Sequence, residues 1–161
     1  SVDAAHRYNF THLKAQIDRT GEIQKIIDQK SIIPPNEVHT FVSGELDKYL
    51  NLYHRSIKNH RDGNDIAYRF DAAESVFSLI AVVFGMEGRL RPYNKFLAWE
   101  LKTYPLKLLP WQADEFLAKI KAIFAIGDVE IQKEVFIKIC ELSKAHGYGN
   151  SIDGWGGYYM G

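Results

Sequence analysis

The chain has 161 residues, 46% hydrophobic, 13% aromatic and 25% charged, a make-up that fits one globular domain with its own core. Its 20 Lys and Arg balance 20 Asp and Glu, which argues against a general nucleic-acid binder, since such affinity rests on an excess of cations over phosphates. The single cysteine, Cys140, excludes an internal disulfide framework and leaves no thiolate pair for a metal.

Residues 1–21 read as the remnant of a preceding sheet or as a loop. Within them "THLKAQI" at 11–17 alternates loosely and is expected to be a short strand, followed by a turn at "DRTG". One strand is not stable alone in water, so the segment is either a loop or the edge of a sheet outside this chain. Ser1 in place of methionine is read alongside it as a processed start, a tag remnant or the start of a piece cut from something longer.

From residue 22 to 161 the pattern is that of a helical bundle. A short helix is predicted over 22–30, and Pro34 and Pro35 then open a long one, proline being tolerated at the first helical position. Val38, Phe41, Val42, Leu46, Tyr49, Leu50, Tyr53 and Ile57 recur at three and four along it, one apolar stripe. "DGND" at 62–65 ends it. The next helix, 65 to about 86, is amphipathic at its start and apolar all round through "VFSLIAVVFGM", as a buried central helix should be. That run is too short to span a bilayer and no signal segment opens the chain, so the expected location is the cytoplasm, with no membrane partner. Gly88 and Pro92 break the pattern before a shorter helix at 93–103. Two amphipathic helices follow at 112–126 and 128–146, with Gly147 placed to cap the last. The tail "GYGNSIDGWGGYYMG" is expected to be irregular. The fold class is therefore all-α, a bundle of five or six helices with a short N-terminal strand-like remnant.

Chemistry is harder to find. No two of the six histidines have helical i, i+3 or i, i+4 spacing, so no metal site is expected. No nucleophile elbow, P-loop or dinucleotide fingerprint is present, and no catalytic residue is assigned. "RSIKNH" fits the Arg-x4-His pattern of HEPN-type ribonucleases through Arg55 and His60, but "RYNFTH" (Arg7, His12) fits it equally. A five-residue step also turns the two side chains apart on a helix.

A stronger signal is the basic cluster around the 62–65 turn. Asn51, Arg55 and Lys58 share a helix face and Arg61 follows, while "GRLRPYNK" supplies Arg89, Arg91 and Lys95 beside Tyr93 and Trp99. Arginine forks and lysine point charges at helix ends suit phosphate. The plain alternative is solvated helix-end cations paired with nearby carboxylates. Glu74 is read either as a buried functional carboxylate or as an arginine's partner, and Trp155 either as a flap over a ligand or as a staple for the tail.

"FVSGELDKYLNLYHRSIKNHRDGNDIAYRFDAAESV", with "GMEGRLRPYNKFLAWELKTYP", resembles the C-terminal helical domain of bacterial nucleotidyltransferases of the DNA polymerase β superfamily, including aminoglycoside-nucleotidyltransferase-like proteins. "DRTGEIQKII" is similar to the last strand of such a catalytic sheet and the helix leading out of it. The resemblance implies that Asn51, Arg55, Ser56 and Lys58, then Arg91, Tyr93 and Lys95, contact phosphate or acceptor. It implies Mg²⁺ and NTP in the intact enzyme, neither held by this chain alone, and a small-molecule or protein acceptor. The family's paired metal-holding carboxylates are missing from this sequence. Its expected partner is therefore a catalytic nucleotidyltransferase domain, without which the chain should be inactive, and a homodimer is a further expectation. The alternative function is a free-standing helical interaction module, antitoxin-like or HEPN-like and RNA-associated.

Overall fold

A computed structural model describes residues 4–155. Among them the chain is all-helical: α1 (Ala4–Tyr8), α2 (Glu22–Lys30), α3 (Pro35–Arg61), α4 (Asp65–Met86), α5 (Leu97–Thr103), α6 (Ala113–Ile126), α7 (Val129–Ala145) and α8 (Gly149–Asp153), with a 3₁₀ turn at Asn94–Phe96 leading into α5. None of these helices is long and apolar enough to cross a membrane.

The centre is the hairpin of α3 and α4. Pro35 opens α3 with a φ already helical and an N–H no helix needs, and Gly63, at φ 76°, turns the chain back. The α3 stripe of Val42, Leu46, Tyr49, Leu50 and Tyr53 is buried against α4, which from Ser78 to Gly85 is buried on every side. Gly85 lets the two helices close: a Cβ there would lie 2.8 Å from Val42 Cγ2. A second hairpin, α6 and α7, packs on the first, α6 against α4 and α7 against α3. Its corner is Gly127, at φ 67°, and Asp128 caps α7 by accepting from the Ile131 N–H at 3.0 Å. A smaller cluster of Tyr8, Ile33 and Leu90 roots the N-terminal segment.

Two expectations need correction. Residues 11–17 form turn and loop, not a strand. Leu13 and Ile17 are exposed, and the segment's polar contacts run to helices rather than to a strand: the Ala15 N–H donates to Gln24 Oε1 on α2 at 2.8 Å, and His12 Nε2 lies 3.0 Å from Glu100 Oε2 on α5. Asp18, at the following turn, accepts the Gln24 N–H at 2.7 Å and so serves the start of α2, bonding that holds its carboxyl below the usual range. The tail is also more regular than its glycines suggest. Ile152 is buried and Tyr148 stacks on His39 with ring centroids 5.0 Å apart, contacts that override weak local propensity and form α8. Trp155 packs on the core and stacks on His54 at 5.5 Å, as a staple would. Residues 156–161, the rest of that tail, lie outside the described residues.

Candidate functional site

The α3–α4 hairpin carries an open groove of about 510 Å³ along its outer edge. Lys48, Asn51, Leu52 and Arg55 line it from α3, and Glu74, Phe77 and Ser78 from α4. Helical spacing explains the α3 side, since 48, 51 and 55 lie three and four apart. Arg55 is fixed from behind: its Nη2 donates to Asp71 Oδ1 at 2.9 Å, and the other Asp71 oxygen accepts from Asn59 Nδ2 at 2.8 Å. The Arg55 side chain stays 57% exposed, so the rest of its fork can reach a ligand. Lys48 Nζ meets Glu45 Oε1 at 2.6 Å.

Phe77 joins the two basic knots of the sequence. Its ring, 45% exposed, forms part of the groove wall, and the Arg91 guanidinium lies over it at 4.8 Å. Arg91 Nη2 donates to Asn94 Oδ1 at 2.6 Å, while its Nε is buried without an acceptor. Burial pulls the Arg91 pKa down, opposed by the charge of Glu45.

The other expected residues divide. Lys58 is exposed further along α3, without an ion pair among the described residues. Ser56 is completely buried and its hydroxyl donates to the Tyr68 carbonyl at 3.0 Å. It belongs to the helix interface and does not reach the groove as a ligand contact would. Tyr93 turns toward the N-terminal segment, meeting Tyr8 edge-on at 5.5 Å, and Lys95 Nζ sits 4.7 Å over the neighbouring Phe96 ring. Glu74 is exposed in the groove and the buried carboxylate on α4 is Asp71, so the role expected of Glu74 falls three residues earlier. Phe77 and Lys48 escape the sequence reading altogether. Lys48 precedes Asn51 by one turn, a signal that was present, whereas Phe77 sits in a run whose pattern indicates burial.

A second constellation surrounds Glu100, a fully enclosed carboxylate on α5. The Tyr8 hydroxyl donates to Oε2 at 3.0 Å and Arg89 Nη2 donates to Oε1 at 2.9 Å. His12 Nε2 lies 3.0 Å from Oε2. His12 holds φ 68°, unusual for a residue with a Cβ, and its ring stacks on Tyr104 at 4.3 Å. Burial and the neighbouring carboxylate both push the Tyr8 hydroxyl well above its usual pKa. With both oxygens bonded, Glu100 acts as a clasp for the N-terminal segment.

Neither Arg–His motif assembles a joint site. His60 rests edge-on against Tyr68 at 5.0 Å while Arg55 is bound to Asp71. Arg7 reaches the carbonyl of Gln29 while His12 reaches Glu100. Burial raises the Cys140 thiol to about 12, which makes it a poor nucleophile. Among the described residues no three His, Cys, Asp or Glu side chains converge to hold a metal ion. Compared with models of known families, with curated proteins and with solved structures, the chain matches none.

Proposed function

We propose that the α3–α4 groove binds the phosphate-bearing part of a nucleotide, as the helical substrate-binding domain of a polymerase β-type nucleotidyltransferase. The whole enzyme would move a nucleoside monophosphate from NTP to a small hydroxylated acceptor or a protein side chain. One observation supports this reading: Asn51 and Arg55 line the same groove as the exposed Phe77 ring, over which the Arg91 guanidinium lies at 4.8 Å. The ring offers a stacking face, and Arg55, held by Asp71, is pre-oriented for a bidentate phosphate contact. Among the described residues no three His, Cys, Asp or Glu side chains converge, and no metal-assisted step is assigned to this chain. The carboxylates that such a step needs belong to a catalytic domain acting across the groove.

The test is calorimetric titration of ATP and GTP into this chain and into Phe77→Ala, Arg91→Ala and Arg55→Lys variants. Each variant should weaken binding about tenfold, the loss of one charged or stacked contact. Unchanged affinity in all three overturns the reading. The alternative of an interaction module draws on Ile66 and Phe70, which α4 leaves exposed, and gains ground if neither nucleotide binds.

A further inference from the structure

The first half of α4 presents Ile66, Phe70, Ala73 and Phe77 outward, at steps of four, three and four. Ile66 and Phe70 are each 72% exposed, and Ala73 is half-buried between them and Phe77. A 4-3-4 step of apolar residues is the a/d seam of a coiled pair. Both helices packed on this half of α4, α3 and α6, lie on its other side, where Asp71, Ala72, Ser75 and Val76 are buried. The seam is open at Ile66, Phe70 and Ala73, where a shallow depression of about 290 Å³ runs along it, and at its far end the Phe77 ring carries the Arg91 guanidinium at 4.8 Å.

The charges beside the seam select its partner. With Phe70 and Phe77 at a and Ile66 and Ala73 at d, Arg69 takes position g on one flank and Glu74 position e on the other. In a parallel pair, g of one helix meets e of the next heptad on its mate, five residues on. From Arg69 that residue is Glu74. An antiparallel pair would set the two arginine flanks together and the two glutamate flanks together, at an electrostatic penalty. Glu74 has no ion pair among the described residues. Arg69 makes an exposed contact with Asp65, Nε to Oδ1 at 3.5 Å, and lies over the Tyr68 ring at 5.7 Å; the exposed ion pair is of a kind that is readily exchanged.

We propose that this chain forms a homodimer about a twofold axis, α4 lying parallel to α4 of a second copy, with Arg69 of each copy paired to Glu74 of the other. The seam spans three helical turns, about 16 Å, which is small for an interface, so the association is of micromolar strength. Because Glu74 also lines the groove, the second copy's arginine stands at the groove's rim.

Sedimentation equilibrium across the micromolar range, without nucleotide, tests the pairing independently of the proposed function. The mass should rise from 18.5 kDa toward twice that value with concentration. Phe70→Asp, at an exposed position, should remain folded by circular dichroism and stay monomeric. Arg69→Glu and Glu74→Arg should each weaken the dimer, and the double exchange should restore it. Ile66→Cys should form a cross-link on mild oxidation, since a parallel pair brings the two Ile66 positions together and an antiparallel pair leaves them about 16 Å apart. A chain that stays monomeric overturns the proposal. So does a dimer indifferent to Phe70→Asp, or one that lacks both the charge-exchange rescue and the cross-link.

Discussion

Arg55 on α3 and Asp71 on α4 meet across the central hairpin, Nη2 to Oδ1 at 2.9 Å, with the carboxylate buried and the guanidinium 57% exposed. The pair therefore has two faces. Inward, it satisfies a carboxylate that would otherwise be a desolvated charge; outward, it leaves a fixed fork on the rim of the groove.

That double role separates stability from binding. Asp71→Ala removes the acceptor of both Arg55 and Asn59 and should cost about 2–3 kcal/mol in urea denaturation. Arg55→Ala should cost less, about 1–2 kcal/mol, because water reaches that side chain and Asn59 continues to serve the carboxylate. The double variant should be less unstable than the sum, by about 1 kcal/mol. Strict additivity would show that the two side chains do not cooperate.

Glu100 is the corresponding clasp at the N-terminal end. Glu100→Gln keeps the shape but removes the charge that Arg89 and the Tyr8 hydroxyl bond to, with an expected loss of about 2–4 kcal/mol. Tyr8→Phe deletes one donor and should cost about 1–2 kcal/mol. In both variants the loop after α1 should be cut faster by a protease present in trace amounts. Unaltered cleavage of that loop in Glu100→Gln would show that the clasp does not hold it.

Gly127 makes the corner between α6 and α7 at φ 67°, and a Cβ there would stand 2.6 Å from the Tyr68 ring. Alanine would meet a strained backbone and a clash at once. Gly127→Ala should therefore lose about 2–4 kcal/mol, and Gly127→Ala with Tyr68→Ala should recover part of what Gly127→Ala loses relative to Tyr68→Ala alone. A fully stable Gly127→Ala would mean that the ring moves aside freely.

These examples also show what the sequence makes legible. The long helices can be read because their signals are local: Pro35 at a helix start, Gly63 and Gly127 at turns, Asp128 as a cap, an apolar stripe at three and four. The groove cannot be read in the same way. Phe77 sits in a run that looks buried all round, and its exposure depends on α3 and α6 occupying one side of α4 and leaving the other. Ser56 looks like a neighbour of Arg55 available to a phosphate, yet the helix crossing presses it onto the Tyr68 carbonyl. A single sequence likewise gives no means of choosing Asp71 over Glu74 as the buried carboxylate, since both lie on the amphipathic part of the helix. Residues 11–17 fail in the opposite sense: alternation reads as a strand, but a strand needs a partner.

His54 gives the fold a pH dependence whose sign can be worked out. Its ring is partly buried on α3, near Phe136 and stacked on Trp155, and desolvation lowers its pKa below the ordinary 6.5. The unfolded chain still titrates near 6.5. As pH falls below that value, the unfolded state takes up a proton that the native state resists, so stability declines. The decline levels off only below the native pKa, where both states are protonated. Above 6.5 the ring is neutral in both states and contributes no slope. Replacing the imidazole by a ring that cannot titrate, His54→Phe, should keep the stack on Trp155 and flatten this part of the curve. Melting temperatures followed from about pH 7 to about pH 5 in both proteins measure the difference. The native chain should lose stability more steeply than the variant over that interval. Equal slopes would show that His54 does not titrate differently in the two states and that Trp155 packs on it without shielding it from water.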